Sequence, residues 1–235
     1  MSEVAVVGSV ARAAAELFLE ATAGAVAARG SAQVALTGGS TAAPLYAELQ
    51  NWAVPWGQLQ IFFTDERAVP PGDELSNYRI AAAGILSKVR PDRVHRLRGE
   101  AKDLDAEAAR AAADLRSTLG TPPRLDLVLL GLGPDGHILS LFAGVPSSGL
   151  RGEDLVRHVA APVDVAPKVE RLTLTPMMVM TARTVVLQVS GAAKAEILAR
   201  ALKGPEDLVA CPAQWLRRAS GRVVVVADAA AAAGL

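Results

Sequence analysis

LDLVLLGLGPDGHILSLFAG, residues 125–144, is the stretch on which the fold class turns. Leu125, Leu127, Val128, Leu129 and Leu130 make a short, nearly continuous apolar run, the pattern of a strand covered on both faces, as in a parallel sheet. Gly131, Gly133 and Gly136 then let the backbone turn where a residue with a Cβ would resist, and Asp135 and His137 emerge two positions apart on that turn. A carboxylate so close can orient an imidazole and hold its charge. Two plainer readings compete. G-L-G-P-D-G matches the dinucleotide fingerprint G-x-G-x-x-G, but Asp135 would set a negative charge where the pyrophosphate belongs. Alternatively, Asp135 caps a helix that begins near His137, and the imidazole is merely solvated.

Working outward, short apolar strands are expected at Val4 to Val7, Gln33 to Leu36, Leu59 to Thr64, Val94 to Arg96, Leu155 to Ala160, Val185 to Val189 and Val223 to Ala227. Helices are expected between them. Ser9 opens one that Gly30 ends, another surrounds Pro44 to Leu49, and Ser76 or Asn77 caps a third that runs through Leu86. Leu104 to Leu119 stops at Gly120, Thr175 precedes Pro176 as an N-cap, and Ala192 to Leu202 stops at Gly204 and Pro205. The run from 145 to 155 is loop-like, and the alanine tail after Asp228 reads as a short docked helix or a frayed end. This alternation argues for an α/β fold, doubly wound, with a mostly parallel sheet and helices on both faces. No repeat or linker divides the chain, so 1–235 reads as one domain.

Composition narrows the function classes. With 51% hydrophobic residues the chain can bury a sizeable core. Its 24 basic and 24 acidic side chains cancel, so no global field argues for nucleic acid or an anionic membrane, and any anion site must be local. A lone cysteine, Cys211, excludes an internal disulfide framework, and no Cys or His cluster has zinc spacing. The N-terminal MSEVAVVGSV lacks a basic signal region, and no stretch approaches the ~20 apolar residues of a membrane span. A cytoplasmic location, with a monomer favoured, is the expectation.

Three further loops carry chemistry. Thr37-Gly38-Gly39-Ser40-Thr41 lies between a strand and a helix, where backbone N–H groups and the positive end of the helix dipole favour a phosphate. It lacks the G-K-[ST] ending of a Walker loop, and a plain Ser/Thr-capped turn is the alternative. Asp65-Glu66-Arg67 ends a buried strand, where three charges are either solvated or part of a site. Lys194 stands in the first turn of its helix, where the dipole disfavours a cation, although most lysines are simply exposed. Arg171, before Pro176, reads as a surface residue or an anion contact.

With LTGGST at 36–41, FTDERAVPPGDELSNYR at 63–79, GLGPDGHILSLFAG at 131–144, ERLTLT at 170–175 and SGAAKAEIL at 190–198, the chain resembles the 6-phosphogluconolactonase family over nearly its whole length. The resemblance implies hydrolysis of 6-phospho-D-glucono-1,5-lactone in the oxidative pentose phosphate pathway. It also implies a sheet similar to that of glucosamine-6-phosphate deaminase and ribose-5-phosphate isomerase. By the same resemblance, His137 is the general base and Asp135 its partner, and Arg67 is a charged contact at the lactone. Gly38, Gly39, Ser40, Thr41 and Lys194 hold the phosphate, with Asp65 and Arg171 as further substrate contacts. Neither cofactor nor metal is implied, and the partner is a small sugar phosphate. One rival is a deaminase-type isomerase using Asp65 as base, though that family resembles D-E-Y where this chain has Asp65-Glu66-Arg67. Another is an inactive sugar-phosphate sensor, but no basic arm or DNA-binding segment is appended.

Overall fold

The computed structural model describes residues 2–145 and 154–235. In chain order the first half comprises β1 (Glu3–Val6), α1 (Val10–Arg29), β2 (Ala32–Leu36), α2 (Ala42–Leu49), β3 (Leu59–Phe63), β4 (Asp65–Arg67), α3 (Asn77–Gly84) and α4 (Leu104–Leu119). The second half comprises β5 (Leu127–Gly131), β6 (Val156–Val159), β7 (Arg171–Leu174), α5 (Pro176–Thr181), β8 (Thr184–Val189), α6 (Ala195–Lys203) and β9 (Arg222–Ala227).

Six strands form one sheet in the order β1-β9-β8-β5-β2-β3, every pair parallel. Leu127 to Leu130 and Val185 to Leu187 are fully buried at consecutive positions, so both faces of the central strands are covered, as their unbroken apolar runs require. α1 covers one face, touching β2, β5, β8 and β9. Ser9 starts it by accepting from Arg12 N, and Gly30, at φ 77°, ends it in the left-handed region that glycine adopts without cost. From β2 the chain winds toward β3, and from β5 it winds the other way toward β8 and β9. The loops leaving β2 and β5 therefore part company at the carboxyl edge, the topological switch point where α/β sheets hold ligands.

Several expectations need correction. β4, β7 and β6 make a separate antiparallel sheet, so Asp65-Glu66-Arg67 is strand, as is the run at 171–174. Three-residue strands carry too few side chains to show a period, which hid β4. No helix begins at His137. Residues 138–141 form a tight turn closed by Leu141 N to Ile138 O, with Leu139 at φ 56°. Val94 makes only an isolated bridge to Ile61. The third helix stops at Gly84, and a 3-10 turn covers Leu86–Lys88. Ala192–Lys194 is likewise a 3-10 turn ahead of α6. The Thr175 hydroxyl donates to Asp154 O and does not cap α5. The tail after Asp228 is a set of turns pinned by that residue, whose carboxylate accepts from Ala231 N. Most of the loop expected at 145–155 lies outside the described residues. No described helix is long and apolar enough to cross a membrane.

Candidate active site

A cleft of about 910 Å³ opens at the carboxyl edge of the parallel sheet. The loops after β2 and β5, the start of α1, the end of β8 and the turn before α6 border it, and β4 closes one side. The topology thus brings Gly38 to Thr41, Asp65, Arg67, His137 and Lys194 around one space.

His137 and Asp135 form its reactive corner. Asp135 Oδ1 lies 2.5 Å from His137 Nδ1 and also accepts from His137 N, while Oδ2 accepts from Ala143 N. Burial raises the Asp135 pKa, but the hydrogen bond and charge of His137 together with those two N–H donors outweigh it, and the group is held down at about 2. A carboxylate that stays ionised can only accept, so Nδ1 carries a proton, and in the neutral imidazole the lone pair is then on Nε2. Asp135 does bind backbone N–H groups, as a capping residue would, but what it ties together is a turn and an imidazole. Gly133 and Phe142 fix the ring from two sides. A Cβ on Gly133 would stand 2.0 Å from Nδ1, and the Phe142 ring meets the imidazole edge-on at 5.1 Å. Gly133 N also donates to His137 O, which closes the turn.

The three charged residues of β4 divide along the strand's alternation. Glu66 points inward and is 2% exposed. Its carboxylate accepts from Arg67 N, Asn77 N, Tyr78 N and the Ser76 hydroxyl, so it anchors the first turn of α3. Burial raises its pKa and those donors oppose the rise without cancelling it. Asp65 is bound on both oxygens. Oδ2 accepts from the Ser140 hydroxyl at 2.6 Å and Oδ1 from Asn77 Nδ2 at 3.0 Å. The turn at 138–141, made in place of the expected helix, is what brings Ser140 to Asp65. Arg67 borders the cleft with Nη1 donating to Leu75 O at 2.5 Å, while its buried Nε meets no hydrogen-bond partner among the described residues. Arg171 stands opposite Arg67 in the antiparallel register, buried, and does not border the cleft. Burial and the Arg67 charge hold its pKa down to about 10, and its Nη2 donates to Pro167 O. Arg171 thus stands beside Arg67 and within its charge, away from the cleft itself.

In the loop after β2, Gly38 lies so close to Asn77 that a Cβ would fall 1.7 Å from Asn77 Oδ1, and Gly39 has φ 74°. Both positions therefore require glycine. Thr41 makes no side-chain capping bond to α2, which leaves its hydroxyl available. Tyr46 OH donates to Thr37 O at 2.6 Å and steadies the loop from below. Lys194 sits at the turn into α6, where burial lowers its pKa and the nearby Asp135 charge works against that. No three His, Cys, Asp or Glu side chains among the described residues converge as metal ligands would. As site residues, sequence reading missed Glu66 as an anchor, Ser140, Gln188, which borders the cleft, and Ser9 and Asn77, which also border it and were expected only as helix caps. Only Glu66 carried a signal, as the middle residue of three charges at a strand end.

The model of a family described as glucosamine-6-phosphate isomerases/6-phosphogluconolactonase matches residues 7–225. A 6-phosphogluconolactonase of Synechocystis sp. is 35% identical over 199 residues, which span 82% of this chain and 80% of that protein. The structure of 6-phosphogluconolactonase from Trypanosoma cruzi superposes with a TM-score of 0.89 at 28% identity, covering 100% of this chain and 97% of the other. A monomeric glucosamine-6-phosphate deaminase superposes with a TM-score of 0.82 at 22% identity over 99% of this chain and 100% of its own, a likeness of fold alone.

Proposed function

This chain belongs to the family of glucosamine-6-phosphate isomerases and 6-phosphogluconolactonases, and on that premise we propose that it is a 6-phosphogluconolactonase that works by general-base hydrolysis. The observation that carries the mechanism is the Asp135–His137 pair at 2.5 Å, which leaves the lone pair on Nε2 at the wall of the cleft. His137 takes a proton from water as the water attacks the lactone carbonyl, and the imidazolium, held by the Asp135 charge, returns a proton to the leaving ring oxygen. Attack forms the new C–O bond and a tetrahedral oxyanion, whose collapse breaks the ring C–O bond, and no covalent bond to the enzyme is required. Arg67 faces the oxyanion. Lys194 and the Gly38–Thr41 loop hold the phosphate, where a cation, backbone N–H groups and hydroxyls converge.

The deaminase reading needs Asp65 as a base. Both of its oxygens are already engaged by Ser140 and Asn77, which favours a positioning role linking β4 to the catalytic turn. Following lactone disappearance at slightly acidic pH, where the background is lower, should show saturable hydrolysis of 6-phosphogluconolactone. Ammonia release from glucosamine 6-phosphate without lactone hydrolysis would overturn the assignment.

Three expectations follow from the pair and the glycine beside it. Because Asp135 is held at about 2, it is ionised throughout the working range, so the acid limb of kcat/KM should fall with the uptake of one proton. A limb with a two-proton slope would show the carboxylate titrating beside the ring. The same depression means that Asp135 stabilises the fold fully above its ordinary value of 3.8, a contribution lost as the pH falls through about 2. Gly133→Ala places a Cβ on the imidazole edge and must displace the ring. Misplacement by about 1 Å costs on the order of 100-fold in rate. Steady-state kinetics on the folded variant should show kcat lowered by about that factor, and unchanged turnover would mean the ring position is not critical.

A further inference from the structure

Gln188, near the end of β8, borders the cleft yet is 1% exposed, and neither Oε1 nor Nε2 has a hydrogen-bond partner among the described residues. Removing an amide from water without replacing its bonds is unfavourable, and close-packed interiors rarely leave one so. The register explains where the amide lies. Gln188 pairs with Gly131 on β5, and registered partners on parallel strands project to the same face. Gly131 has no side chain, and the Thr41 hydroxyl lies 3.3 Å from where a Gly131 Cβ would stand, so Gln188 and Thr41 both flank that position on β5. α1 packs against β8, and its first residues, Ser9 and Val10, border the cleft.

We propose that Gln188 is a specificity-determining residue that reads a hydroxyl group of the sugar acid; this rests on the lactonase reading above. The chemistry of the amide selects that partner. Gln188 offers both donors and an acceptor, which matches an alcohol that gives and takes a hydrogen bond. A phosphate dianion only accepts, so it would pair with Gln188 Nε2 alone and leave Oε1 unpartnered. The residue therefore serves the polyhydroxylated part of the ligand, while Lys194 and the glycine loop serve its phosphate. A site that buries a polar group for this purpose rejects an analogue without the matching hydroxyl, since the group is then left unpaired.

The test is calorimetric titration of wild type, Gln188→Leu and Gln188→Met with 6-phosphogluconate and, separately, with inorganic phosphate, alongside thermal unfolding of each ligand-free protein. Two variants are used so that one repacks the site if the other does not. The expected result is a loss of about three- to tenfold in 6-phosphogluconate affinity, as for one neutral hydrogen bond, with phosphate affinity unchanged. The ligand-free Tm should be equal or higher, because an apolar side chain leaves no unpaired amide. Wild-type affinity for 6-phosphogluconate in both variants would overturn the proposal. So would equal losses for both ligands with a lowered Tm, which would make Gln188 a support of the fold. If wild type binds phosphate but not 6-phosphogluconate, the lactonase reading itself fails, a result separable from the other two.

Discussion

His137→Ala is expected to yield a folded protein whose kcat is lowered by roughly 100-fold or more, the usual contribution of a positioned general base. The fold should survive for local reasons. The ring is 19% exposed and among the described residues its hydrogen bond is to Asp135, while the turn is closed by the backbone of residue 137, which alanine retains. Asp135 keeps the N–H donors of residues 137 and 143 and so remains paired. Circular dichroism and thermal unfolding establish that the variant is folded, and single-turnover kinetics read the chemical step. Turnover near that of wild type in a folded variant would remove His137 from its role. Asp135→Asn should cost less than His137→Ala, because an amide can still orient the ring but carries no charge to balance the imidazolium.

Lys194→Ala is expected to weaken substrate and product together by about one to two powers of ten, the scale of a charge-assisted hydrogen bond worth roughly 1.5–3 kcal/mol. A phosphate remote from the reacting carbonyl is held alike in ground and transition states, so the loss should fall mainly on KM. Lys194 is partly buried and within the field of Asp135. Partial burial would strengthen a hold on an anion, and the Asp135 charge would oppose it. Unphosphorylated gluconolactone supplies the control. It should be a poor substrate for wild type and nearly indifferent to the substitution, since it offers the lysine nothing to hold. Equal losses for both lactones would assign Lys194 to the fold or the chemistry, and Arg67 would become the leading phosphate contact.

The apolar run at 127–130 and the Asp135–His137 spacing were legible because they are local. A strand buried on both faces shows itself as consecutive apolar residues, and a turn rich in glycine shows where side chains can emerge. Hence the parallel sheet, the loops at its carboxyl edge and the candidate residues on them could be named from the chain alone. The antiparallel sheet could not. β4 is three residues long and its partners lie about a hundred positions away, so its three charges read as the end of a strand, solvated or part of a site, and not as a strand of their own.

Other features depended on long-range contact. Nothing in ILSLFAG distinguishes a helix from the turn that forms. The choice falls to Asp135 Oδ2, which accepts from Ala143 N, and to Ser140, which reaches an aspartate 75 positions earlier. Glu66 became an anchor because it caps α3, and Arg171 moved behind Arg67 because antiparallel register placed the two side by side. Gln188 reads in sequence as one polar residue in an apolar strand, and only its pairing with Gly131 shows what lies beside it. The sequence by itself determined the strands, the glycine turns and the kinds of chemistry available, since these follow from the conformational preferences and hydrophobicity of neighbouring residues. Which side chains share the cleft, which are spent on supporting it and which stay unpaired was decided by tertiary structure, because hydrogen bonds and burial depend on contacts between residues far apart in the chain.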